Sequence, residues 1–280
     1  MSYPRIDLDG AVVAVTGGAR GIGKAAAELF AAKGATVCIA DLDGAAAAET
    51  AAAIRPLAYA YVVDVTSRDS FAEFTDAVLD GLGRIDVLVN NAGIMPLGGF
   101  LDEDDATTKA TFDVNVWGLI HGMRLVLPHM TERGRGHIVN VASMAGKIPI
   151  PGMAVYNASK FAAVGLSAAV REEFRGTGVS VSAVLPSAVR TRLSSGVPLG
   201  HGMPTVDPDD VARAIVGSVG SRRAEITVPG YLAGWDLFNA ALPAPLIGLG
   251  RRLIGDHRAL TSIDHVARSD YETAIRAQTS

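Results

Sequence analysis

The chain holds one cysteine in 280 residues, Cys38. No intramolecular disulfide can form, which fits a reducing compartment. Cys38 lies in the apolar run Thr36 to Ala40 and reads as a packing residue, not as a reactive thiol. Aromatic residues are scarce at 6%, against a hydrophobic fraction of 49%. Such a core has to be assembled from Ala, Val and Gly, which suits buried parallel strands covered by closely approaching helices. Positive charge is not in surplus either: 25 Lys and Arg stand against 29 Asp and Glu, a formal net charge of -4. That balance gives no general attraction to phosphate backbones or anionic lipid and argues against nucleic acid as a main partner. No uncharged apolar run reaches the roughly 20 residues that span a bilayer. The longest, Leu237 to Gly250, is broken by Pro243 and Pro245. Met1 to Gly10 carries Arg5, Asp7 and Asp9 and lacks the apolar stretch of a secretory signal, so the expected location is the cytoplasm. No metal site is read from the sequence.

What is present is alternation. Ala11 to Thr16 predicts a strand, a glycine turn follows, and Gly23 to Lys33 predicts a helix closed by Gly34. Thr36 to Ala40 is the next strand and Gly44 to Ile54 the next helix, with Asp43 as N-cap. Ala58 to Val63 is a strand, Arg68 to Leu82 a helix with Phe71, Phe74 and Val78 on one face, and Ile85 to Asn90 a strand. Asp104 to Arg133 should hold one or two long helices, followed by the strand His137 to Ala142, the helix Ala154 to Arg175 and the strand Ser180 to Leu185. Asp207 and Pro208 read as N-cap and first position of a helix running to Ser221, and Ile226 to Val228 as a last short strand. Strand and helix alternating through short links predict a three-layer, doubly wound parallel α/β sheet with right-handed crossovers and ligands at the C-terminal strand edge. Residues 1–230 are expected to form one domain, and residues 231–280 a C-terminal extension.

Thr16-Gly17-Gly18-Ala19-Arg20-Gly21-Ile22-Gly23 sits between the first strand and the first helix, where backbone N–H groups and the helix dipole can receive a pyrophosphate. The spacing is Gly-x3-Gly-x-Gly, which differs from the general dinucleotide fingerprint. A tight loop that only lets helix and strand pack is the structural alternative. Asp41, at the end of the second strand, is placed to accept hydrogen bonds from adenosine ribose hydroxyls, which favours NAD. A 2′-phosphate there would meet a carboxylate, at a cost on the order of 4 kcal/mol per unit charge at about 4 Å and an effective dielectric near 20. Arg20 argues the other way, because its guanidinium could pair with that phosphate. Asp64 and Val65 end the third strand, where side chain and backbone can meet an adenine edge. Asn90-Asn91-Ala92-Gly93 ends the fourth, with small residues to pass beneath a cofactor and Asn side chains to tie strands together.

Tyr156 and Lys160 are four apart at the start of a predicted helix and share one face. A free tyrosine, with a pKa near roughly 10, is a poor base at neutral pH, and a nearby ammonium favours the phenolate. Ser143, after the strand His137 to Ala142, could hydrogen-bond a substrate oxygen. By itself the Tyr-x3-Lys pair is as well explained by a partly buried Tyr beside a surface Lys.

The order of glycine turn, Asp41, Asn90 to Gly93, Asn115, Ser143, Tyr156 and Lys160 makes residues 8 to 230 resemble the short-chain dehydrogenase/reductase family, in its smaller single-domain subgroup with a Rossmann fold. The resemblance implies that Tyr156 is the general acid/base, that Ser143 orients substrate, and that Lys160 binds the nicotinamide ribose and tunes Tyr156. Asn115 would hold a water linking Lys160 to a proton relay. Gly17, Arg20, Gly21, Ile22, Gly23, Asp41, Asp64, Val65, Asn91, Ala92 and Gly93 would hold the cofactor with Tyr156 and Lys160. Pro186 to Thr191 resembles the segment that folds over the nicotinamide, with Pro186, the Val189 backbone and Thr191 in contact. Ser187 departs from the Gly usual there.

The implied activity is interconversion of a secondary alcohol and a ketone or aldehyde by hydride transfer with NAD. NADPH-dependent carbonyl or 3-ketoacyl reduction is the enzymatic alternative, and a nucleotide-sensing or scaffold protein without turnover the alternative of another class. Leu193, Val197, Pro198, Leu199 and Met203, with Met95, Pro96, Leu97 and Met153, suggest a pocket for a lipophilic substrate such as a steroid, retinoid or fatty chain; Arg190, Arg192 and His201 interrupt it. The resemblance also implies a homodimer or homotetramer through the long helices. Beyond Val228 run Tyr231, Trp235, Leu237, Phe238, Leu246, Ile247 and Leu249, then Arg251 and Arg252. Packing onto the core or a subunit interface is expected there, with a membrane-surface segment as the alternative.

Overall fold

The computed structural model describes residues 3–54, 56–196, 204–237, 264, 268, 269, 271 and 273. Seven parallel strands form its sheet: β1 Val12–Thr16, β2 Thr36–Asp41, β3 Ala58–Val62, β4 Val87–Asn90, β5 Gly136–Val141, β6 Val179–Pro186 and, numbered last, β9 Glu225–Val228. A ribbon of two short strands, β7 Ala188–Val189 and β8 Thr205–Val206, stands apart from it. The helices are α1 Gly21–Ala31, α2 Gly44–Ile54, α3 Arg68–Leu82, α4 Asp105–Phe112, α5 Gly118–Glu132, α6 Ala154–Glu173 and α7 Pro208–Ser221.

Side chains of each strand alternate between two cores. Val13, Val15, Val37, Ile39, Val87 and Val89 face α1, α2 and α7. Val12, Ala14, Cys38, Ala40 and Leu88 face α3, α5 and α6. Since both faces are covered, β1, β4, β5 and β6 are buried at every position. β1 reads as a nearly continuous apolar run, whereas β5 and β6 also bury His137, Asn140, Ser180 and Ser182, each with hydrogen-bond partners. At one edge of the sheet, β3 leaves large apolar side chains in water, with Tyr59 and Val62 exposed.

Local chemistry sets the helix limits. Ser67 accepts the Ser70 amide at the start of α3, and Gly83, at φ 74°, ends it. Asp43 accepts the Ala46 amide at 3.0 Å and so caps α2. Asp207 and Asp210 form a reciprocal capping box around Pro208 at the head of α7. The expected span Asp104 to Arg133 is two helices joined by a π-helical turn, Asp113–Trp117, which contains Asn115. α1 begins at Gly21, two residues before the predicted start. Among the described residues no helix is long and apolar enough to cross a membrane.

The strand order β3-β2-β1-β4-β5-β6-β9 is that of a doubly wound Rossmann sheet. The chain winds outward from β1 to β3, then returns to β4 on the other side of β1. The reversal opens a crevice between β1 and β4 at their C-terminal ends, where such folds take their ligands. The glycine turn, Asp41, Asp64, Asn90 to Gly93, Ser143 and Pro186 to Thr191 all follow strands at that edge.

Candidate active site

At the tip of β1 the chain is held open by glycine. Gly17 has φ 61°, and a Cβ on it would sit 2.9 Å from the Ala92 Cα; one on Gly23 would fall 2.1 Å from the Gly17 carbonyl oxygen. No side chain could occupy either place. Thr16 and Asn91 lock the turn to the end of β4. The Thr16 hydroxyl oxygen accepts the amides of Asn91 (3.0 Å) and Ala92 (3.2 Å), and the Asn91 side-chain amide donates to the Thr16 and Gly17 carbonyls at 3.0 and 2.9 Å. Asn90 likewise donates to Asn140 on β5 at 2.9 Å, so the expected strand-tying role of these asparagines is observed. No side chain caps the N-terminus of α1. Its first-turn N–H groups, bare glycine backbone and dipole thus fit a pyrophosphate.

Asp41 stands beside this turn. Its carboxylate accepts the Ala19 amide at 3.0 Å on one oxygen and the Asp43 amide at 3.1 Å on the other, which leaves acceptor capacity on both. Arg20 is not turned toward Asp41: its guanidinium lies 2.5 Å from the Asp43 carboxylate. The Arg20 bond is the main cause holding the Asp43 carboxyl below its ordinary range. At the end of β3, Asp64 accepts both the amide and the hydroxyl of Thr66, at 2.9 and 2.7 Å, while Val65 is buried.

The four proposed catalytic residues converge on one buried locus. Ser143 follows β5, accepts the Ala145 amide at 3.1 Å, and stands beside the Tyr156 phenol, whose pKa its hydroxyl holds down. Asn157, next to Tyr156, fixes the Ser143 turn from below by donating to the Ala145 carbonyl (2.7 Å) and the Ile148 carbonyl (2.8 Å). Asn115 clamps the chain beyond β4: its side-chain oxygen accepts the Ile94 amide and its nitrogen donates to the Ile94 carbonyl, both at 2.9 Å. The same nitrogen donates to Ser159 at 3.0 Å, and Ser159 in turn donates to the Tyr156 carbonyl at 2.7 Å. The amide of Asn115 is therefore a buried brace, a role its sequence context did not suggest.

Lys160 departs from the sequence expectation in one respect. Its ammonium donates to the Val141 carbonyl at 3.1 Å and lies 5.7 Å from the centroid of the Tyr156 ring. Burial pushes the Tyr156 phenol up, the Ser143 hydrogen bond opposes this, and Tyr271 adds to the rise. Burial also lowers Lys160, to about 8. In this arrangement desolvation outweighs any help the ammonium gives the phenolate.

Around the Tyr156 ring, Met95, Ala145 and Met153 form a separate apolar cluster with Leu97, Ile150 and Leu193 packed against it. Four of the expected pocket residues, Met95, Leu97, Met153 and Leu193, are thus brought together with the phenol. Arg190 is turned away to Asp207 at 2.7 Å. Val197, Pro198, Leu199, His201 and Met203 lie outside the described residues, as do Phe238, Leu246, Ile247, Leu249, Arg251 and Arg252. Of the C-terminal extension, Leu232, Trp235 and Tyr271 pack on the core, while Tyr231 and Leu237 are exposed.

The segment Pro186 to Thr191 runs beside the glycine turn, for a Cβ on Gly21 would stand 3.3 Å from the Thr191 methyl. The Val189 carbonyl accepts the Thr191 amide at 2.9 Å and the Ser194 hydroxyl at 2.5 Å, which narrows its expected backbone contact to the N–H. Ser187 has a use of its own. Its hydroxyl donates to the Pro204 carbonyl at 2.6 Å and, with the β7–β8 ribbon, closes the base of the loop between them. The unusual serine is therefore a clasp.

Sequence reasoning missed Ser159 and Asn157, which lie between Tyr156 and Lys160 and could have been found by asking what holds that helical turn. It also missed Arg268 and Tyr271, for which the sequence carries no signal.

Comparison with known proteins agrees with this geometry. The profile of the short chain dehydrogenases matches residues 11–199. The 17-beta-hydroxysteroid dehydrogenase 13 of Homo sapiens is 33% identical over 234 residues, 81% of this chain and 78% of its own. A short-chain dehydrogenase/reductase of Burkholderia phymatum, solved in complex with NAD, superposes with a TM-score of 0.75 at 29% identity, covering 83% of this chain and 92% of that one. A metagenomic short-chain oxidoreductase in complex with NADP superposes with a TM-score of 0.70 at 32% identity, covering 79% and 97%.

Proposed function

Since this chain belongs to the short-chain dehydrogenase family, we propose that it interconverts a lipophilic secondary alcohol and its ketone, with NAD as redox partner and Tyr156 as proton carrier. It is an oxidoreductase of CH–OH groups that works with a nicotinamide dinucleotide. When bound, that cofactor supplies the hydride acceptor and, oxidised, a positive ring that favours a nearby phenolate.

One juxtaposition supports this above all: the Tyr156 phenol lies in an apolar cluster with the Ser143 hydroxyl beside it and the Lys160 ammonium 5.7 Å from its ring centroid. In oxidation, Ser143 holds the substrate hydroxyl and Tyr156 takes its proton; in reduction Tyr156 returns it. Lys160, charged below about pH 8, holds the ribose end and supplies positive charge to the locus. Asn115, in its π turn, would hold the water that leads the proton onward. The apolar surroundings select against small hydrated alcohols, and the human relative named for a hydroxysteroid favours a bulky ring substrate.

The preference for NAD rests on charge. A 2′-phosphate would meet the Asp41 carboxylate, and the Arg20 guanidinium is turned to Asp43. Turnover of hydroxysteroids, retinols and aliphatic secondary alcohols, followed by reduced-cofactor absorbance, should proceed with NAD well ahead of NADP. Asp41→Asn keeps an acceptor for the Ala19 amide but removes the charge, and should shift the NAD-to-NADP ratio of kcat/KM toward NADP by about a hundredfold. A wild-type preference for NADP, or a ratio that the variant leaves in place, contradicts the assignment.

A further inference from the structure

Two residues remote from every motif, Arg268 and Tyr271, reach the segments that carry the apolar cluster around Tyr156. The Tyr271 hydroxyl accepts the Met95 amide at 2.8 Å. Arg268, with its side chain fully buried, donates to the carbonyls of Ser195 at 3.0 Å and Leu193 at 3.2 Å, and through its other terminal nitrogen to the Met95 carbonyl. Its guanidinium also lies over the Tyr271 ring, 4.8 Å from the centroid. One further bond joins the same strips of chain, from the Asp264 amide to the Gly196 carbonyl at 2.9 Å.

These partners stand on two opposed segments. Met95 follows the tip of β4 through Ile94, which Asn115 clamps, whereas Leu193 to Gly196 belong to the loop after β7. Each segment sends an apolar side chain, Met95 or Leu193, to the cluster around Tyr156. A guanidinium is a rigid planar fork, so bonding the carbonyls of both segments at once fixes the distance between them. Bonds to backbone oxygens offset the cost of burying it. The consequence falls on the part of a substrate remote from its reacting carbon. Contacts made there orient the reacting carbon, and a small misplacement costs rate.

We propose that Arg268 and Tyr271 form a latch that sets the spacing of the Met95 and Leu193 walls, so that the C-terminal segment selects for large apolar alcohols that touch both. This builds on the assignment of the apolar cluster around Tyr156 as the substrate site. The two are positioning residues and touch neither the transferred proton nor the hydride.

The test compares the full-length chain with Tyr271→Phe and Arg268→Gln, using NAD with estradiol as the large alcohol and cyclohexanol as the small one. Each variant should lose about tenfold in kcat/KM for estradiol, mainly through KM, and stay within about twofold on cyclohexanol. Equal losses on both alcohols, or none on either, overturn the latch. Amide hydrogen exchange supplies a readout that does not need turnover. In Tyr271→Phe the Met95 amide should exchange about tenfold faster, and unchanged exchange removes the latch whatever the kinetics. If the wild type oxidises neither alcohol, the proposed reaction fails by itself, and exchange at Met95 alone decides the latch. Should Arg268→Gln not fold, Tyr271→Phe, which deletes one oxygen, carries the comparison.

Discussion

Tyr156→Phe should lower kcat for alcohol oxidation by about a thousandfold, within the span that a positioned proton carrier contributes. The expectation is large because the substitution removes only the hydroxyl. The ring keeps its place among Met95, Ala145 and Met153, and Ser143 retains the Ala145 amide as donor. Lost with the hydroxyl is its polar contact with Ser143, worth at most about 1 kcal/mol, so the variant should melt close to the wild type. Cofactor affinity should hold as well, because the glycine turn and Asp41 are untouched. Calorimetric titration with NAD and steady-state kinetics together separate the outcomes. Turnover within tenfold of wild type would mean that the proton leaves by another route.

Lys160→Met should give a protein that is more stable at pH 7 yet far less active. Lys160 is buried, and its pKa falls from 10.5 to about 8 in the fold. Between those values the unfolded chain binds more protons than the folded one, so the group's contribution to stability rises with pH from about 8 toward 10.5. Below pH 8 the burial penalty is fully present, and a fall of that size corresponds to about 3 kcal/mol. Methionine removes that penalty but leaves the Val141 carbonyl without its donor, which costs about 1 kcal/mol. The balance is a gain of about 2 kcal/mol at pH 7, or a midpoint higher by about 5 °C. The difference between the two proteins should shrink as pH rises from 8 to 10, whereas Tyr156, common to both, cancels. Activity should fall about a hundredfold through loss of the cation. A variant less stable than wild type at pH 7 would show that the ammonium is held by more than it costs.

The contrast between these two residues shows what the sequence could carry. Tyr156 and Lys160 were legible as a pair because helical spacing alone puts residues four apart on one face. The environment that sets their proton affinities was not, since part of it comes from Met95 and Tyr271, which are distant in sequence. Helix limits were readable where a side chain caps them, as Asp43 does for α2 and Asp207 for α7. They were less so at α1, which begins at Gly21 with no side-chain cap to announce it. Asn115 looked like a polar flaw in a long helix, because a π turn differs from an α turn by one displaced hydrogen bond and leaves the apolar period nearly intact. The β7–β8 ribbon has two residues on each strand, too few for any periodicity, and Ser187 took its meaning only from the Pro204 carbonyl it meets. Arg268 and Tyr271 bond mainly to backbone atoms, and such contacts leave no pattern in the side chains of their partners.

Hydride transfer from a secondary carbinol is the chemistry on which all of this rests, and isotope labelling reads it directly. The wild-type chain would be mixed with NAD and a secondary alcohol carrying deuterium on the carbinol carbon, and the dinucleotide weighed by mass spectrometry after one turnover. Reduced dinucleotide carrying one deuterium, formed by the wild type and nearly absent with Tyr156→Phe, is the expected result. NAD that binds to the wild type but stays oxidised and unlabelled across hydroxysteroids, retinols and aliphatic alcohols would contradict it.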